Sequence, residues 1–223
     1  MSEANDRRER RIAWAMLIFC PLMMLMILAY VSAGNAPGLD AGHPMEYLQM
    51  TCLLWMTISV IIPLLRLLRF VSLPIWFVFL VQGDMFLYVI SLCQGFYLNL
   101  SWWGDLTHII ASAIVTGFVF IALCLMESKS PDHVTFGSKY GMVLMLFLVA
   151  LSFGCIWEMM EGFTDVLTGT SYMVYGATDT LGDLVADFVG VSLMTLAALV
   201  ILSRQDAESV ASKVRLGRKM IPF

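Results

Sequence analysis

Residues 175 to 203 read YGATDTLGDLVADFVGVSLMTLAALVILS. The stretch runs into an apolar segment long enough to cross a bilayer, which takes about 20 helical residues. It opens with Asp179, Asp183 and Asp187, spaced four residues apart. Carboxylates at that spacing share one face of a helix. One segment therefore predicts both a transmembrane helix and an acidic face within the membrane.

Working outward, the rest of the chain repeats the apolar pattern. Of its 223 residues, 60% are hydrophobic and 13% charged, against about 25% charged in a soluble domain. Apolar spans fall near residues 12–32, 47–65, 71–92, 105–126, 140–161 and 180–203. These predict an all-α integral membrane protein with six transmembrane helices in one domain over residues 12–203, flanked by basic segments at 1–11 and 204–223. The first span follows Arg7, Arg8, Arg10 and Arg11 and ends near Val31-Ser32-Ala33, which imitates a signal peptide. Its apolar run of about 20 residues exceeds a signal core of roughly 7 to 15, so it reads as an uncleaved span. Residues 162–178, rich in Gly, Thr and Tyr, read as a loop or a re-entrant turn.

The basic residues orient the spans. Arg7, Arg8, Arg10 and Arg11 precede the first span, and Arg66 and Arg69 follow the second. Lys129 and Lys139 lie between the fourth and fifth, and Arg204, Lys213, Arg215, Arg218 and Lys219 follow the sixth. With six spans, all 13 fall on one side, and the positive-inside rule makes that side the cytoplasm. Both termini are then cytoplasmic and the chain is a multi-pass protein of the cell membrane. Trp102, Trp103, Tyr172 and Tyr175 fall at the outer face, where interfacial aromatics belong. The formal charge is −4, and no nucleic-acid partner is expected. The basic tail, with Val210, Val214 and Leu216 among its cations, is expected to rest on anionic lipid.

The outer side carries acids and no base. Asp40, Glu46, Asp105, Glu158, Glu161, Asp165 and Asp179 lie there, and Asp183 and Asp187 follow in the same leaflet. Asp187 lies roughly 10 Å below the outer end of its helix at about 1.5 Å per residue. A charged group near a helix centre costs up to about 2.5–3.5 kcal/mol. Protonation, water or a bound cation must offset that cost.

Each acid also has a structural reading. Ser101, Asp105, His108, Ser112 and Thr116 form one polar stripe; Asp105 and His108 are either a ligand pair or a helix cap beside a hydrogen-bonded ring. Glu158, Glu161 and Asp165 share a face, but Glu161 and Asp165 also fit solvated surface acids. That reading suits Asp165 best. It does not suit Glu158, which follows Cys155-Ile156-Trp157. Thr180-Leu-Gly-Asp183 fits a capping box, which leaves Asp187 unexplained. Asp84 either joins the same cavity or pairs with a local polar group. Together Asp105, His108, Glu158, Glu161, Asp179, Asp183 and Asp187 form a candidate ligand set for a divalent cation: magnesium, manganese, zinc or iron.

The five cysteines (Cys20, Cys52, Cys93, Cys124 and Cys155) show no C-x-x-C spacing and read as small buried hydrophobes. The 17 methionines read as gap fillers and lipid contacts. Asn99-Leu-Ser101 matches a glycosylation sequon, a weak three-residue signal.

The elements Trp103-Gly-Asp-Leu-Thr-His108, Ser152 with Glu158 and Glu161, and Tyr175-Gly176 with Asp179, Asp183, Asp187 and Gly190 resemble a family of uncharacterised polytopic membrane proteins of archaea and bacteria. The resemblance covers about residues 85–200. More distantly, the chain resembles VanZ-like proteins. Gly104 stands where some of those relatives carry a further acid. The resemblance implies the same polar residue set and no particular reaction. The D-x-x-x-D spacing is also similar to intramembrane prenyltransferases and alcohol phosphotransferases, but their further acidic or Arg-containing motifs are missing and their sites open to the cytoplasm. Three functions follow as expectations: a cation site acting on a lipid-linked substrate, a proton- or cation-coupled transporter, or a structural, partner-binding membrane protein.

Overall fold

A computed structural model describes the backbone of residues 3–68, 71–129, 135–174, 176 and 178–216. Arg69, Tyr175, Arg218 and Lys219 lie outside the described residues, as do the side chains of Arg66, Lys129, Arg215 and Leu216. The described elements are α1 (Glu3–Ser32), α2 (Pro37–Ala41), α3 (Met45–Leu67), β1 (Val71–Ser72), α4 (Ile75–Cys93), α5 (Phe96–Asn99), α6 (Trp103–Lys129), α7 (Lys139–Thr168), α8 (Asp179–Arg204), α9 (Ala207–Ala211) and β2 (Arg215–Leu216). Among the described residues, six helices (α1, α3, α4, α6, α7 and α8) are long and apolar enough to cross a membrane. The protein is a multi-pass, all-helical membrane protein, apart from the two-residue antiparallel pair of β1 with β2.

The helix ends follow local chemistry. α4 starts at Ile75 behind the extended Pro74 (ψ 135°), later than the expected residue 71, because Val71 and Ser72 are paired with Leu216 and Arg215. Ser138 caps α7 by accepting from the Gly141 N–H at 3.2 Å. Gly169, at φ 66°, ends α7 in a left-handed conformation that favours glycine. α7 thus runs past residue 161, and Asp165 lies on its last turns rather than in a loop.

The contacts divide the chain into two compact units, Met1–Ser101 with Val214–Phe223, and Trp102–Lys213. In the first, α1 packs on α3 and α3 on α4. Its core is built from Met24, Val31, Leu48, Cys52, Val89, Leu92 and Cys93. The Gln82 amide crosses from α4 to donate to the Ser59 carbonyl of α3 at 2.7 Å. The described cysteines are free; Cys20, Cys52, Cys93 and Cys124 are buried and Cys155 is exposed.

In the second unit, α8 packs against both α6 and α7, and α9 closes on α6. The core joins Val119, Phe120, Leu123 and Cys124 to Met142, Leu146, Ala198, Val210 and Ala211. This corrects the expectation that Val210 lies on lipid. Asp206 caps α9 by accepting from the Ser209 N–H at 2.8 Å. The chain therefore turns back as a helix after α8, and the apolar side of that helix joins the core. Val214 is buried as well.

α7 and α8 are polar inside and apolar outside. Glu158 is 5% exposed, whereas its neighbours Met159 and Met160 are 73% and 55% exposed. On α8, Asp183, Ala186, Asp187 and Gly190 are buried, while Leu181, Val185, Phe188, Leu193 and Leu196 face outward. A helix in lipid gains nothing by hiding leucine. It gains by hiding carboxylates.

Candidate metal centre

The inward faces of α6, α7 and α8 meet around His108. His108 Nδ1 lies 3.3 Å from Asp187 Oδ1 in hydrogen-bond geometry, and 3.8 Å from Glu158 Oε1. His108 Nε2 lies 3.7 Å from Asp183 Oδ1. These three contacts converge on one imidazole, so a single His faces acids from two other helices.

His108, Glu158, Glu161 and Asp183 each offer one ligand atom, and these atoms lie within 4.8 Å of one another. Metal bonds to oxygen and nitrogen run about 2.0–2.6 Å, so opposite ligands of a larger ion stand up to about twice that distance apart. The four groups are within reach of one ion. The three carboxylates of this group are buried: Glu158, Glu161 and Asp183. Both oxygens of Glu158 and Oδ2 of Asp187 are buried without a hydrogen bond. Thr180 approaches Glu158 but makes no hydrogen bond of normal geometry to it. A buried acceptor left unsatisfied costs about 1–3 kcal/mol, and more when charged.

Glycines let the helices approach closely enough for these contacts. A Cβ at Gly190 of α8 would overlap Ser112 Oγ and the Ile109 carbonyl of α6. A Cβ at Gly154 of α7 would overlap the Asp187 carboxylate. Gly104 and Gly182 face Asp183 and Asp105 across the α6–α8 contact, with space for a Cβ at ordinary or slightly tight distances of 3.8 and 3.3 Å.

The remaining candidates lie around this group. Asp187 bonds to His108 but is outside the set of four. Asp105 is exposed in the first turn of α6, and Asp179 is half-buried at the start of α8. Both are within electrostatic range of Asp183. Asp84 belongs to α4 of the first unit, whereas the group of four is built wholly within the second.

Two local expectations are corrected. Thr180 lies inside α8, whose N-cap position is Thr178 without a side-chain cap, so Thr180 to Asp183 is not a capping box. The Asp183 side chain points to His108 instead. Glu161, one of the expected ligands, is buried and belongs to the group. Asp165 is buried too, for another reason. Its Oδ1 accepts from Thr170 Oγ1 at 2.8 Å and the Tyr172 N–H at 3.0 Å. Its Oδ2 accepts from the N–H groups of Met173 and Val174 at 3.0 and 2.9 Å. Asp165 thus holds the segment after α7 and leads the chain toward α8. Sequence reasoning also passed over Gly154. The available signal was its place one turn before Glu158 on the same face of α7.

Residues 15–204 match the model of a family described as predicted membrane protein (DUF2238). The chain belongs to that family. An uncharacterised protein of Thermotoga maritima is 30% identical to this DUF2238 protein over 112 residues, 50% of this chain and 55% of the relative. The chain thus spans about half the length of the curated relative it matches. No solved structure matches it. The family match includes all of the long polar faces of α6, α7 and α8.

Proposed function

We propose that this DUF2238 protein binds a divalent cation between α6, α7 and α8. His108, Glu158, Glu161 and Asp183 are the ligands, with Asp105 and Asp179 at the mouth. The observation that carries this reading is the mutual 4.8 Å reach of the four ligand atoms. The unbonded oxygens of Glu158 support it. Acids serving only to tie helices together would be cross-linked by hydrogen bonds. Three carboxylates and one imidazole suit manganese, iron or zinc, and magnesium is admitted by the carboxylates.

The distribution of Lys and Arg supports a cell-membrane protein with both termini in the cytoplasm. The centre then opens toward the outer leaflet. There the ion acts as a Lewis acid on a phosphate of a lipid-linked substrate, or supplies a bound hydroxide. Transport is the second reading, and the hydroxyls below the centre weigh against it. Ser112 and Thr116 donate back to the His108 and Ser112 carbonyls at 2.7 and 2.6 Å, committing their protons to their own helix. The cationic groups of residues 204–223 rest on anionic headgroups; vesicle binding unchanged after removal of residues 217–223 would count against that contact.

Titration of the purified full chain with Mn2+, followed by electron paramagnetic resonance, tests the reading. One saturable site per chain is expected. Mn2+ signal that never saturates would contradict it.

A further inference from the structure

The two nitrogens of His108 face different acids. Nδ1 is hydrogen-bonded to Asp187 Oδ1 at 3.3 Å. Nε2 is turned to Asp183 Oδ1 at 3.7 Å. Asp187 is the most buried of the acids on α8, at 3% exposure. Its second oxygen makes no hydrogen bond and fills the space that a Cβ on Gly154 would occupy. The carboxylate is therefore held between the bare backbone of α7 on one side and the imidazole of α6 on the other. It stands outside the four groups whose ligand atoms lie mutually within reach of one ion.

We infer that Asp187 is a positioning residue for His108 rather than an ion ligand. It accepts the Nδ1 proton, fixes the ring as the Nδ1–H tautomer, and turns the Nε2 lone pair toward Asp183. An ionised carboxylate only accepts hydrogen bonds, and a neutral imidazole carries one proton, so the contact requires that proton on Nδ1. Histidines that ligate metals commonly donate their other ring N–H to a carboxylate in this way, and loss of the partner weakens the metal by about 10–100-fold. The ligand part of this inference rests on the cation reading above. The tautomer part stands on geometry alone. Gly154 belongs to the same device, because only a residue without a side chain leaves room for the carboxylate.

The test has two arms on the full chain. The first is 15N NMR of histidine-labelled, metal-free protein at a pH where the rings are neutral. The chain has three histidines, and His108→Gln assigns the signal. The wild type is expected to show His108 as Nδ1–H. Asp187→Ala should move it to the Nε2–H form that free imidazole side chains prefer. Gly154→Ala, which displaces the carboxylate without removing it, should move it the same way; this second variant keeps the test decisive if Asp187→Ala does not fold. The second arm is Mn2+ titration. Asp187→Ala should keep one site with affinity weakened about 10–100-fold, while Asp183→Ala loses the site. An Nε2–H ring in the wild type, or loss of the site in Asp187→Ala as complete as in Asp183→Ala, would overturn the inference. An Nδ1–H ring in a wild type without a saturable Mn2+ site would overturn the cation reading while upholding the tautomer.

Discussion

Gly154 of α7 and Asp187 of α8 are fitted to each other: the Asp187 carboxylate lies where a Cβ on residue 154 would be. The carboxylate fits beside α7 only because residue 154 carries no side chain. The position of the imidazole is thereby tied to the packing of α7 on α8.

Gly154→Ala should therefore destabilise the protein despite the better helix propensity of alanine. Overpacking of this kind costs about 1–3 kcal/mol. Gly162, on the same helix, has open space around it, and Gly162→Ala should be neutral or mildly stabilising, since Gly costs up to about 1 kcal/mol in a helix relative to Ala. Thermal midpoints of the two variants in one detergent make the comparison. A lower midpoint for Gly162→Ala than for Gly154→Ala would contradict it.

Gly190→Ala should separate α6 from α8, because its Cβ would meet Ser112 Oγ and the Ile109 carbonyl. One of those atoms is backbone, so a rotamer change alone does not relieve the overlap. A loss of about 1–3 kcal/mol is expected, together with weaker Mn2+ binding, since the α6–α8 contact sets the distance between His108 and Asp183. Retained stability and affinity would argue against that role of the glycine.

Asp165→Ala should release the segment after α7. Four donors lose their acceptor: Thr170 Oγ1 and the N–H groups of Tyr172, Met173 and Val174. Hydrogen bonds to a charged group contribute about 1.5–3 kcal/mol each, though losses in one network do not add. Hydrogen exchange at Tyr172 to Val174 should accelerate by at least tenfold, about 1.4 kcal/mol of local opening. Metal stoichiometry should stay that of the wild type, because Asp165 is not in the group of four.

His43, between α2 and α3, is buried, and burial holds its pKa below the ordinary value of 6.5. The unfolded chain therefore takes up the proton first as the pH falls through that value. Stability is highest above it and declines on acidification until the folded ring also protonates. The thermal midpoint of the wild type should fall between pH 7.5 and 5 by more than that of His43→Gln. Equal declines would show that His43 is not responsible.

The six spans were legible because lipid demands long apolar helices, and the grouping of Arg and Lys agreed with their number. Glu158 was legible as an inward acid because Cys155, Ile156 and Trp157 precede it in a span. Asp165 was not. A carboxylate that binds the N–H groups of its own loop looks the same in sequence as one that faces water. Thr180 and Asp183 matched a capping box by spacing alone, yet the helix begins at Asp179, one residue before Thr180. Val210 was misread because Lys213 and Arg215 beside it resemble a surface tail, while the Asp206 cap turns the segment into α9. Gly154 carried only the weak signal of its place one turn before Glu158. Its role depends on which residue of another helix arrives opposite.

The central claim is that His108, Glu158, Glu161 and Asp183 hold one ion. Metal analysis by mass spectrometry of the purified full chain, compared with Glu161→Gln and Asp183→Ala, tests it most directly. About one equivalent of a single divalent metal is expected in the wild type after loading and desalting, falling to background in both variants while they remain folded. Substoichiometric metal in the wild type, unchanged in Asp183→Ala, would contradict it.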